Sequence, residues 1–243
     1  MSLAKTILDR VVALVALALL CPVIAVVALA IWGQDFRNPF YVSLRVGKGG
    51  KLFRLFKLRT MSVGADTFGP MTTSANDPRV TRLGSIIRQS KIDELPQFLN
   101  VLIGDMSLVG PRPQILGEVE TYTAEERELL AVRPGLSDYS SVVFSDLGEI
   151  VRTAQSPHLA YQQLVRPWKS RLGLFYIANP SLAADLGILI ATAAAIVSHR
   201  TGVQMIVGML RVLGAPPDLV EVARRTSPLE PTSPPGSDRI VGT

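Results

Sequence analysis

The chain has little of what metal enzymes and histidine-based catalysts rely on. There is one cysteine, Cys21, and there are two histidines, His158 and His199, in 243 residues. A single cysteine excludes an internal disulfide and suits a reducing compartment. Neither histidine stands in a metal-ligand spacing such as HExxH, which argues against a zinc centre or a histidine triad. Acid–base chemistry then falls to carboxylates, lysine or tyrosine. Aromatic residues are only 6%, too few for base stacking, and no nucleic-acid-binding fingerprint appears, so no nucleic-acid partner is expected. The "GKGG" at 47–50 fails the spacing of both the Walker loop and the dinucleotide fingerprint. There is no internal repeat. Acid is missing altogether between Phe36 and Ala65, where Arg37, Arg45, Lys48, Lys51, Arg54, Lys57 and Arg59 fall.

What is present is oily and basic. Mean hydropathy is +0.31 and pI about 9.6, with 48% apolar residues and a net charge of +5. Such a balance favours anionic partners. Residues 11–34 carry no charge, and thirteen of residues 11–32 are Leu, Ile or Val. That stretch is long enough for a hydrocarbon core of about 30 Å, and its Leu, Ile and Val residues favour insertion by about 4–8 kcal/mol. A cleaved signal peptide is the competing reading, but the run exceeds a usual h-region and lacks a small-x-small cleavage site. Pro22 removes one helical hydrogen bond and crowds the carbonyl of Ala18. Two geometries follow: a kinked spanning helix, or a re-entrant hairpin that enters and leaves on one face. Basic residues flank both ends, and the larger cluster after the run places the following domain in the cytoplasm.

"YVSLRVGKGGKLFRLFKLRTM" reads as a β-hairpin turning at 47–50. A strand over 51–61 puts Lys57 and Arg59 on one face with Phe53 and Leu55, as a phosphate grip or as a solvated basic edge. "SANDPRVTRLGSIIRQS" opens a helix with Asn76 or Asp77 as N-cap and Pro78 in first position. It buries Leu83, Ile86 and Ile87 and leaves Arg88 near its C-terminal end. In "SKIDELPQFLNVLIGDMSLVGPRP", Leu95, Phe98, Leu99 and Leu102 recur at helical spacing, so a second helix runs from near Asp93 to Gly104. If Asp93 capped that helix, Pro96 would fall at N3 and offer it no N–H. The Asp93–Glu94 pair is therefore either a weak cap or chemistry. In the second case one carboxylate attacks phosphorus or holds a metal while its neighbour orients it or moves a proton. Arg112, between Pro111 and Pro113, is held extended and aims a guanidinium fork, at a phosphate or within a plain proline turn.

"FKLRTM", then Ala65-Asp66, then "DPRVTRLGSIIRQSKIDELPQFLNVLIGDMSLVGPRP" and "VRPGLSD" resemble the bacterial sugar transferase family, the monotopic phosphoglycosyl transferases. The likeness runs from about Lys5 to Val207. It implies an α-rich, compact α/β domain on the cytoplasmic face of the bacterial inner membrane, anchored by a re-entrant N-terminal helix broken at Pro22. It implies transfer of a sugar-1-phosphate from a UDP-sugar to polyprenyl phosphate, with release of UMP. In that reading Asp93 carries the sugar phosphate covalently and Glu94 assists. Magnesium sits at Asp93 and bridges the diphosphate, while Lys57, Arg59, Arg88, Gln97 and Arg112 bind phosphate or substrate. Asp105 also falls in a matched motif, and a dimer is compatible with the likeness. The chain departs from the family pattern at Cys21-Pro22, where Ser-Pro is common, at Val42-Ser43, where an arginine–glutamine pair is common, and at "LSDYSSV", which leaves the sugar open.

Near the C-terminus, Tyr161, Trp168, Phe175 and Tyr176 stand beside Arg166, Lys169 and Arg171, a mixture that suits a bilayer surface or ordinary amphipathic packing. Residues 182–197 are apolar apart from Asp185 and Thr192, about 24 Å as a helix and short for crossing. Residues 226–243 are rich in Pro, Ser and Gly and read as a disordered tail. The expected layout is a membrane helix over 1–35, a catalytic domain over 36–215, and a short helix with its tail over 216–243. Two other readings remain at this point. One is a catalytically silent membrane scaffold, the other a module that binds anionic lipid or nucleic acid through its basic run.

Overall fold

The computed structural model describes residues 3–65, 73–74 and 77–242. The apolar run forms helix α1, Leu3–Asp35, whose helical backbone continues through Pro22. It is long and apolar enough to cross a membrane. Its middle is bare, with Leu14, Val15, Leu19, Val23 and Val26 exposed, whereas Lys5, Asp9 and Ala13 at one end and Ala28 and Ile31 at the other are buried. Both ends therefore dock on the same body.

Strands β1 (Phe40–Val46) and β2 (Leu52–Leu58) form the antiparallel hairpin read from the sequence. β2 stops three residues before the expected Met61: the Arg59 N–H still donates to Pro39 O at 2.7 Å, but Pro39 has no N–H to return, and the ladder ends there. Helix α2 spans Arg82–Gln89 and is capped by Thr81, not by residue 76 or 77. Asp77 is committed elsewhere: its carboxylate accepts from Arg79 Nη2 at 2.7 Å and Nε at 2.9 Å, and both residues are buried. Asp66 and Asn76 lie outside the described residues. Helix α3 is Gln97–Ile103, and strand β3, Ser107–Val109, pairs in parallel with β4, Gly135–Ser137. The loops beside that pair nearly touch: a Cβ on Gly135 would lie 2.1 Å from Gly110 N, so side chains are excluded there.

Between β3 and β4 lies α4, Leu116–Glu120, and after β4 come α5 (Tyr139–Val143), α6 (Leu147–Ile150) and α7 (Pro157–Ala160). A π-turn over Tyr161–Val165 leads into α8, Arg166–Ala178, followed by α9 (Leu182–Val197), α10 (His199–Val212) and α11 (Pro217–Arg224). The result is a helix-rich mixed α/β fold. Its main core gathers Met106, Leu108, Val143, Leu172, Ile188, Ile206 and Leu210. A smaller cluster of Ala28, Ile31, Leu58 and Ile87 welds the end of α1 to β2 and α2.

The aromatic and basic stretch of α8 does not form a bilayer-facing belt. Tyr161 and Tyr176 are buried in the core, and Arg166 enters a closed polar network with Glu126 (Nη2 to Oε2, 2.6 Å), Gln162 and Thr121. Satisfied on every side, that network fixes α8 against residues 118–126. Nor is the tail free. It has no helix or strand, yet Thr232 N donates to Gln163 O (3.0 Å), Gln163 Nε2 to Val241 O (2.8 Å), Arg171 Nη2 to Ser233 O (3.0 Å) and Thr123 Oγ1 to Pro235 O (2.6 Å). These bonds overturn the expectation of disorder: composition predicts how little a segment can bury, not which carbonyls a neighbouring helix will claim.

Candidate active site

Four chain segments meet at the paired carboxylates. After α2, Lys91 adopts a left-handed backbone, φ 58° and ψ 14°, which is strained for a residue with a β-carbon. The reversal turns Ile92 toward the small core cluster and places Asp93 and Glu94 in a single 3-10 turn, Ile92–Glu94. Helix α3 begins only at Gln97, with Pro96 at its cap and no side-chain capping bond. The expected helix start at Asp93 is thus four residues early, and the capping explanation for the pair falls away.

Asn100 sets the distance between this turn and the hairpin. It is fully buried, its Oδ1 accepts from Phe56 N (3.1 Å), and its Nδ2 donates to Arg54 O (2.6 Å). Lys57, on the same strand, then reaches both acids: Nζ lies 3.3 Å from Glu94 Oε1 and 4.0 Å from Asp93 Oδ2.

The two acids have opposite surroundings. Glu94 is gripped by a two-pronged guanidinium, Arg112 Nη1 to Oε2 at 2.9 Å and Nη2 to Oε1 at 2.7 Å. Arg112 is steadied in turn by Leu136 O, 2.9 Å from Nη1, which the close approach of Gly110 and Gly135 brings within range. Burial alone would raise the Glu94 carboxyl, but Arg112 and then Lys57 outweigh it and hold it far below the usual carboxylate range. Asp93 is 7% exposed, and burial pushes its carboxyl up. Lys57 opposes that rise, and the neighbouring Glu94 charge reinforces it. One acid is saturated by a guanidinium, and the other has only Lys57 at 4.0 Å.

Arg88 is the cation with capacity to spare. Its Nε donates to Thr60 Oγ1 at 2.8 Å, while no partner is found for its two terminal nitrogens among the described residues. Burial draws its pKa down, and Asp93 is the first charge to oppose that. Its helix lies hard against residue 60, because a Cβ on Gly84 would fall 1.9 Å from Thr60 O.

The remaining expected residues are distributed unevenly. Arg59 is spent elsewhere, its guanidinium bound to Asp35 at 2.6 and 2.7 Å and to Asn38 O at 2.8 Å rather than to the paired acids. Gln97 follows the acids on the first turn of α3 and is fully buried, with neither amide atom hydrogen-bonded. Asp105 takes part through its backbone N–H, which donates to Asn100 O at 3.0 Å.

Sequence reading missed Asn100 and Thr60. An amide inside the apolar stripe of α3 was a usable signal for the first. Lys169, on α8, holds its ammonium over the Tyr161 ring, 5.6 Å from its centre. Burial draws its ammonium down to about 8; Asp138 opposes the shift, while Arg112 and Lys91 deepen it.

A long apolar helix docked on a helical domain, with a carboxylate–guanidinium centre beside the junction, is the pattern of a membrane-associated protein. The family is specific: a model for the bacterial sugar transferases matches residues 1–199, and the chain belongs to that family. It is 44% identical over 145 residues to the UDP-glucose:undecaprenyl-phosphate glucose-1-phosphate transferase of Caulobacter vibrioides, covering 58% of this chain and 54% of the relative. To the exopolysaccharide production protein ExoY of Sinorhizobium fredii it is 31% identical over 214 residues, 82% of this chain and 87% of the relative. To the galactosyl transferase CpsE of Streptococcus agalactiae it is 36% identical over 165 residues, 62% of this chain and 36% of the relative. Against several curated relatives the chain spans from 33% to 62% of their length.

Proposed function

We propose that the chain transfers a sugar-1-phosphate from a UDP-sugar to polyprenyl phosphate, releasing UMP and starting a lipid-linked glycan. The relatives' names, which include undecaprenyl-phosphate glucose-1-phosphate transferase, support this substrate class. The observation that carries it is the contrast between Glu94, locked by Arg112, and Asp93, buried with Lys57 at 4.0 Å. An Asp93 carboxylate oxygen attacks the phosphorus that bears the sugar. The bond from that phosphorus to the bridging oxygen breaks, and UMP leaves with its electron pair. An oxygen of polyprenyl phosphate then attacks the same phosphorus, the Asp93–phosphorus bond breaks, and the carboxylate is restored. Burial makes Asp93 more basic and hence more nucleophilic, while Lys57 and Arg88 keep it ionised. The free edge of Arg88 is placed to take the phosphate oxygens.

The residues fit a magnesium ion held mainly by substrate. Among the described residues no group of three or more ligating side chains exists, and Asp93 is the carboxylate not already saturated. Magnesium commonly uses one or two carboxylates with phosphate oxygens and water. Bound at Asp93, it would neutralise the diphosphate.

Both ends of α1 pack on one body, through Lys5 to Asp185 (2.6 Å) and Asp9 to Ser107 at one end and Arg59 to Asp35 at the other. This supports a re-entrant course with Pro22 deepest in the bilayer, and the basic residues that flank both ends of the apolar run support a domain on the cytoplasmic face.

The test is UMP release from a panel of UDP-sugars with undecaprenyl phosphate and magnesium. Asp93→Asn should lower it by about a thousandfold or more, the scale on which loss of a covalent nucleophile is felt. With donor alone, intact-mass analysis should show a sugar-phosphate adduct on the native chain and none on Asp93→Asn. Undiminished turnover in that variant would remove the assignment.

A further inference from the structure

Just past the end of the family match at residue 199, the chain builds a second cationic site. A cavity of about 590 Å³ opens between α10, the C-terminal end of α11 and the loop before α6. None of the residues lining it belongs to the carboxylate cluster. Arg200, Gln204, Gly208 and Arg211 follow one face of α10, and all four line the cavity. A Cβ on Gly208 would meet nothing within 4 Å, so the backbone is open to approach midway between the two arginines. Neither Arg200 nor Arg211 has a hydrogen-bond or ion-pair partner among the described residues.

The facing wall is held in place. Arg225, at φ 56°, donates through Nη2 to Asp146 Oδ2 at 3.0 Å and stacks over the Phe144 ring at 5.4 Å. Its Nη1, the other Asp146 oxygen and His199 Nε2 are buried without hydrogen-bond partners, which natural proteins seldom leave unexplained. Arg224 pairs with Glu221 at 2.9 Å on the surface. Local structure thus accounts for two of the four guanidiniums and leaves two unused. Four arginines against Asp146 and Glu221 leave a surplus of two positive charges.

We propose that this cavity binds a phosphate ester carrying about two negative charges. Arg200 and Arg211 grip the phosphate, and Arg225 adds its charge from the opposite wall. The volume is that of a small-ligand site, and the paired donor edges of guanidinium groups match phosphate oxygens. Soluble metabolites and phospholipid headgroups share this chemistry.

The test uses the full chain in phosphatidylcholine nanodiscs at fixed ionic strength. Glycerol 3-phosphate is titrated by calorimetry, and thermal stability is compared with and without phosphatidic acid in the disc. Saturable binding or stabilisation by one of these probes is expected. Arg200→Ala/Arg211→Ala, both on an exposed helix face, should weaken it about tenfold or more while circular dichroism and UMP release stay unchanged. Asp93→Asn should leave it intact. Glycerol 3-phosphate binding identifies a soluble occupant, and stabilisation by phosphatidic acid alone identifies a headgroup. Equal responses in native and double-arginine proteins, loss of the response in Asp93→Asn, or no response to either probe would overturn the proposal.

Discussion

A carboxylate is as reactive as its neighbours leave it, and residues 93 and 94 show this one peptide bond apart. Glu94 is held well below its ordinary value by Arg112 and Lys57 despite burial. Its contribution to stability is therefore complete above its unfolded value and fades only as pH falls through the depressed folded one. Across neutral pH it does not titrate. Asp93 moves the other way, raised by burial and by Glu94 itself. The acid limb of UMP release should then report Asp93 and lie above the ordinary aspartate value of 3.8. Glu94→Gln removes the like charge and frees Lys57, so the limb should shift to lower pH. The rate should fall by about ten- to a hundredfold, as Arg112 loses a partner worth about 1.5–3 kcal/mol. A pH profile from 4 to 9 on both proteins decides it; a limb that stays put would mean that Glu94 does not act on residue 93.

Among the elements, α2 matters for where it holds Arg88. Gly84 allows contact with Thr60 O that no Cβ could survive. Gly84→Ala should shift the helix, costing about 1–3 kcal/mol and, if Arg88 moves by about 1 Å, about a hundredfold in rate. Gly117→Ala in α4, where a Cβ meets nothing within 4 Å, is the control and should be neutral in both thermal melts and turnover. Contacts such as these explain which parts of the structure the sequence could reveal. The hairpin was legible because alternation and a glycine turn are local signals. The body of α3 was legible because Phe98 and Leu102 recur on one face. Its start was not, since Lys91 spends strain to delay it, nor was that of α2, since Asp77 prefers Arg79 to a helix end. Arg112 and Arg59 were both recognised as cations near the site, but no spacing says that one would be consumed by Glu94 and the other by Asp35.

For the whole molecule, the decisive geometry is that a single helix is fastened at both ends to one domain. Tags placed before residue 3 and after residue 242 should both be reached by impermeant reagents from the cytoplasmic side alone. Labelling of the first from the periplasm would restore a spanning helix. Fastening at both ends also sets an order of events during synthesis. Lys5 leaves the ribosome well before Asp185, which lies 180 positions later. At about 5–20 residues per second the wait is roughly 10–40 s. Leu58, Arg59 and Ile87 can dock on the far end of α1 within that time, so the two ends fasten in sequence, with the Lys5 end closing on α9 last.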